Sequence, residues 1–97
     1  IFAVQNATGV TASLDLRAFL PNNHSFVVVP TGSPAGCTAQ PQYSLDNVNW
    51  FSLGSALTCT SAIAGVVLNT PASFVRINLT ALSGGSSPTV TTWYIGK

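Results

Sequence analysis

The stretch SFVRINLT, residues 73–80, alternates apolar and polar side chains from Val75 onward. A period of two places Val75, Ile77 and Leu79 on one face of a strand and Arg76, Asn78 and Thr80 on the other. The same reading extends in both directions. Downstream, ALSGGSSP (81–88) is a glycine-rich loop and TVTTWYIG (89–96) is a last strand. Upstream, SLDLRAFL (13–20) alternates, with Leu14, Leu16, Ala18 and Leu20 expected inward and Asp15, Arg17 and Phe19 outward. PNNH (21–24) breaks the chain, and SFVVVP (25–30) follows as a run apolar on both faces. Such a run suits a central strand, or one covered by a neighbouring subunit.

Residues 31–36, TGSPAG, read as a loop, and CTAQPQYSLD (37–46) as an extended arm. Pro41 there calls for an edge strand or a bulge. WFSLG (50–54) returns from a turn, and the end of ALTCTSAIAGVVLNT (56–70) has a β-branched strand signature. No segment combines a 3.6-residue period with a helix cap. Seven or eight short strands in 97 residues predict one all-β domain over 1–97. The architecture expected is an antiparallel β-sandwich of jelly-roll connectivity, with an open barrel as the alternative.

Composition restricts function more sharply than it restricts fold. Charged residues make up 5 % of the chain, and the net charge of +1 comes from Arg17, Arg76 and Lys97 against Asp15 and Asp46. Three scattered cations do not make the basic cluster that a phosphate backbone needs, so nucleic acid is not an expected partner. No apolar run reaches the ~18 residues of a membrane helix. No leader pattern is visible, and a start without Met reads as processing or as missing first residues. A surface with so little charge lacks the repulsion that keeps copies apart. Residence in an oligomer or a large assembly is expected, with a neutral secreted monomer as the alternative.

Cys37 and Cys59 leave two readings open. If their strands are neighbours, a disulfide would add roughly 3 kcal/mol; otherwise both are buried free thiols. His24 is the one other soft ligand and there is no C-x-x-C, so neither a metal nor another cofactor is expected. His24 itself follows PNN and reads as a solvated loop residue. Asp15 and Arg17, two apart on a strand, read as an exposed ion pair. No nucleophile elbow is present, and Asp15 and Asp46 are the only carboxylate side chains. An enzyme is not expected.

The stretch QYSLDNVNWFSLGS (42–55) holds the remaining candidates. Asp46 can accept backbone N–H groups two residues on, forming an Asx turn. Asn47 or Asn49 can take the left-handed corner, and Trp50 can pack back across the hairpin. Tyr43, Trp50, Phe51, Trp93 and Tyr94 are either core and interface residues or a stacking platform for a sugar.

YSLDNVNWFSLG (43–54) resembles the Y-S-x-D-G-x-x-W hairpin of discoidin-like, galactose-binding jelly rolls. It is also similar to small β-sandwich modules of bacteriophage structural genes. In those modules the hairpin precedes a strand like SFVRINLTAL, a GG loop and a strand like TVTTWYIG. All three parts occur here in order, over roughly residues 40–96, with Tyr43, Ser44, Asp46, Asn47 and Trp50 as the signature. Asn47 stands where the family usually has Gly, and the chain is shorter than a discoidin domain, which favours the phage modules. The resemblance implies a virion protein, such as a capsid decoration (cement) protein on the outer surface of the particle or a fibre component. It also implies an oligomer, often a trimer, that contacts a capsid or other virion protein. Phe26, Val27, Val28 and Val29, with Trp93, Tyr94 and Ile95, are the expected subunit-contact residues. The alternative is a carbohydrate-binding module that takes a glycan.

Overall fold

A computed structural model describes residues 3–18, 22–67 and 70–96. Ten strands occur among these residues: β1 (Ala3–Gln5), β2 (Gly9–Val10), β3 (Leu14–Asp15), β4 (His24–Thr31), β5 (Gly36–Ser44), β6 (Phe51–Ser52), β7 (Leu57–Thr58), β8 (Ile63–Val67), β9 (Phe74–Ser83) and β10 (Thr89–Gly96). There is no helix among the described residues. All pairings are antiparallel, and apart from β5–β6 they join strands that are not consecutive in the chain.

One sheet has the order β1-β10-β4-β8; the other runs β2-β9-β5-β6, with β3 also on β9 and β7 also on β5. Counting β2 with β3 and β6 with β7 as split strands leaves eight positions. The first, last, third and sixth then form one sheet, and the second, seventh, fourth and fifth form the other. This is the connectivity of a jelly roll, in which two Greek keys close over one core.

The alternation from Val75 onward sets the centre of that core. Val75, Ile77 and Leu79 are fully buried on β9, facing Phe26, Val28 and Val90 of the opposite sheet across one hydrophobic cluster. The SFVVVP run becomes β4, an inner strand between β10 and β8.

Three expectations need correction. Leu16 is buried, but Leu14 is partly exposed and Ala18 is exposed; Phe19 and Leu20 lie outside the described residues. The cause is local. The Asp15 carboxylate accepts the backbone N–H of Arg17 at 2.9 Å, a side-chain bond that ends β3 after two residues. The alternation stops where the strand does.

Pro41 lies neither on an edge strand nor at the bulge. β5 is internal, and its bulge falls between Thr38 and Ala39. In an antiparallel ladder a residue's N–H and C=O point to the same side. The Pro41 carbonyl accepts Leu53 N–H at 2.8 Å, so its missing donor faces the break between β6 and β7. The ladder loses a bond where the partner strand is already split.

His24 is not a solvated loop residue. It opens β4 and is 1 % exposed. Its Nε2 donates to the Thr70 carbonyl at 2.6 Å, so in the neutral ring Nδ1 accepts from the Tyr94 hydroxyl at 2.7 Å. Both ring nitrogens are therefore satisfied away from water. Burial pushes the Tyr94 hydroxyl up to about 12, so it stays protonated at neutral pH.

Cys37 and Cys59 are disulfide-bonded, with Cα atoms 4.9 Å apart. The bond ties the two-residue β7 edge to β5, reinforced by Cys59 N–H to Cys37 C=O at 2.9 Å. At the same end of the molecule the 32–35 and 84–88 loops lock together through Ser86 N–H to Gly32 C=O at 2.8 Å. Gly32 and Gly85 both have positive φ, and a Cβ on either would collide with the other loop's backbone.

Candidate functional site

Two surfaces carry the candidate residues. The first is the outer face of the β1-β10-β4-β8 sheet. Val27 on β4 pairs directly with Trp93 on β10, and Ser25 with Ile95. Next to them lie Val4 on β1 and Ala64 on β8. Relative exposures are 61 % for Val4 and Ile95, 47 % for Trp93 and 36 % for Val27. A shallow open groove runs between Ser25, Val27, Trp93, Tyr94 and Ile95. No charged side chain occurs among the described outward positions of this sheet.

The expected contact residues divide by strand parity. Phe26 and Val28 are in the core, 1 % and 0 % exposed, and cannot meet a neighbour. Tyr94 turns toward them, its ring centroid 4.9 Å from that of Phe26. Val27, Trp93 and Ile95 face out, and Val29 is half-buried. Each strand thus gives one face to the core and the other to the surface, which a contiguous list of residues cannot express.

The second surface is the hairpin that joins β5 to β6. Ser44 and Asp46 together organise its turn. The buried Ser44 hydroxyl accepts the N–H groups of Asp46 and Asn47 at 3.2 and 2.9 Å, and donates to Asp46 Oδ1 at 2.9 Å. Asp46 Oδ1 accepts Val48 and Asn49 N–H at 2.9 and 2.8 Å, while Oδ2 accepts the Asn49 amide at 2.7 Å. Asn47 holds the left-handed corner at φ 63°. These donors, the Asn49 and Val48 N–H groups foremost, hold the Asp46 carboxyl well below the usual carboxylate range. Asp46 is occupied by its own turn.

A pH dependence follows. Because the folded-state pKa lies below the unfolded value of ~3.9, the contribution of Asp46 to stability is complete above that pH. It is lost as the pH falls toward the folded value. Thermal midpoints should therefore decline from about pH 4 downward, and Asp46→Asn should flatten the decline while lowering the midpoint at neutral pH. Parallel acid slopes in both proteins would refute the turn-organising role.

Trp50 meets a residue beyond its own hairpin. The Arg76 guanidinium lies over its ring, Cζ 4.1 Å from the centroid. Tyr43 instead meets Phe51, centroids 5.9 Å apart, in the paired register of β5 and β6. Arg76 Nε donates to Gln42 Oε1 at 2.7 Å across the β5–β9 ladder. Partial burial lowers its pKa below the ordinary arginine value. In sequence Arg76 appears only as one outward residue of an alternating strand. Its partners Gln42 and Trp50 are 34 and 26 positions away, so no local pattern marks it.

Arg17 and Asp15 form the exposed ion pair at 2.7 Å. Among the described residues, no three of His, Cys, Asp and Glu come together.

No protein-family model matches the chain, and no curated protein matches it. Among solved structures, the chain is similar to the SPBc2 prophage-derived protein YomS, with a TM-score of 0.61 and 14 % identity. The similarity covers 94 % of this chain and 85 % of YomS. It is a likeness of fold across nearly the whole chain.

Proposed function

We propose that this chain is a structural protein of a tailed-phage virion, a non-catalytic decoration (cement) protein that binds the outer capsid surface as an oligomer and stabilises it. The observation that carries the reading is the exposed apolar patch of Val27, Trp93 and Ile95 on an outer sheet face whose described residues carry no charge. Its occupant is a second copy of the chain. With no charge among the described residues of the face, two copies can bring these residues together without desolvating an ion or opposing like charges. Strands of 3, 8, 8 and 5 residues at ~4.8 Å spacing and ~3.3 Å rise make a face of about 380 Å². Two such faces reach about 760 Å², below the ~1,000 Å² of an isolated specific interface, and repetition over the many copies of an assembly would supply the remainder. The fold shared with a prophage-derived protein and the phage-like hairpin signature support the same reading.

Light scattering at micromolar concentration should report an oligomer. Trp93→Glu should weaken association about thirtyfold, corresponding to ~2 kcal/mol for a central tryptophan. A monomeric wild type would overturn this reading. It would favour the carbohydrate-binding alternative, for which exposed Trp93 offers a stacking face.

A further inference from the structure

The guanidinium of Arg76 is held in place but only partly used. The Trp50 ring covers one of its faces and Gln42 fixes Nε, which sets both its plane and its direction. Its two terminal NH₂ groups meet no hydrogen-bond acceptor among the described residues. A planar pair of NH₂ groups, immobilised before binding, suits two-point recognition of a carboxylate. Arg17 shows the satisfied state of the same group, with Nε and Nη2 both on Asp15.

The chain has no carboxylate side chain to spare for Arg76. Asp15 is paired with Arg17, and Asp46 is filled by the donors of its own turn. Another copy of this chain therefore cannot supply the side-chain anion without breaking one of these sets. We propose that Arg76, stacked on Trp50 and tethered by Gln42, binds an aspartate or glutamate of a different protein. A protein is favoured over an acidic sugar because the guanidinium already occupies a face of Trp50. Nearby, the hairpin presents Leu45 and Val48, 66 % and 77 % exposed. An arginine–tryptophan centre beside exposed aliphatic residues has the make-up of a protein-binding hot spot. This contact is separate from the self-association face around Trp93, so either can fail without the other.

NMR titration of the side-chain N–H signals of Arg76, Arg17 and Trp50 tests it. The probes are the decapeptide (Gly-Glu)₅, its neutral counterpart (Gly-Gln)₅, and glucuronic acid. Saturable shifts are expected at Arg76 and Trp50 with the acidic peptide, at least tenfold weaker with the neutral one and absent at Arg17. Arg76→Lys keeps the charge but not the two-point geometry, and should lose at least tenfold in affinity. Equal response of Arg17 and Arg76, or no preference for the acidic peptide, would overturn the proposal in the wild type alone. Tighter binding of glucuronic acid than of the peptide would overturn the protein assignment in favour of an acidic glycan. Full binding by a folded Arg76→Lys would remove the two-point geometry.

Discussion

Reducing the Cys37–Cys59 bond, or replacing both residues with serine, should destabilise the fold by about 3 kcal/mol. For a domain of this size that corresponds to a fall of roughly 12–24 °C in the thermal midpoint. The estimate follows from loop closure over a sequence separation of 22. The location adds a second reason. β6 and β7 pair with β5 through only two residues each, and the position between them faces Pro41. Neither piece has enough ladder bonds to hold itself against β5. Without the covalent tie, the edge around Leu57 should open first. Circular dichroism melts with and without reductant measure the effect. A midpoint shift of under about 3 °C would show that the split strand holds through packing alone.

Phe26→Ala should cost about 3–5 kcal/mol, the range for removing a buried aromatic ring. Phe26 is among the largest fully buried side chains and supports the Tyr94 ring from below. Tyr94 in turn carries the hydrogen bond to His24 Nδ1. A cavity at Phe26 therefore loosens the lid over a buried imidazole as well as removing apolar contacts. Urea unfolding should show a lower midpoint with an unchanged slope. Val48→Ala at the exposed hairpin tip is the control, expected within about 0.5 kcal/mol of wild type. Total stability of a small domain is 5–15 kcal/mol, so Phe26→Ala combined with reduction should leave little folded protein. Equal midpoints for Phe26→Ala and Val48→Ala would mean that the core is not centred where the buried residues place it.

These effects separate what could be read locally from what could not. The inward set Val75, Ile77 and Leu79 was legible because a strand's faces alternate whatever it packs against. The turn at 44–49 was legible for a similar reason, since its donors and acceptors lie within three residues of one another. The same rule misled at residues 13–20, where a single Asp15 side-chain bond cut the strand short. It misled again at Phe26–Val29, where adjacent residues were grouped that the pleat sends to opposite faces.

The sequence by itself determined an all-β chain, the jelly-roll class, the inward face of β9 and the turn chemistry around Asp46. Each depends on period or on contacts a few residues apart. The tertiary structure alone decided that Cys37 and Cys59 meet and that His24 is buried between Thr70 and Tyr94, 46 and 70 positions away. It also decided that Trp50 is partnered by Arg76. The physical reason is common to all three. A polar or charged group is buried, paired or left available according to what the opposite strands bring to it, and that is set by topology and register.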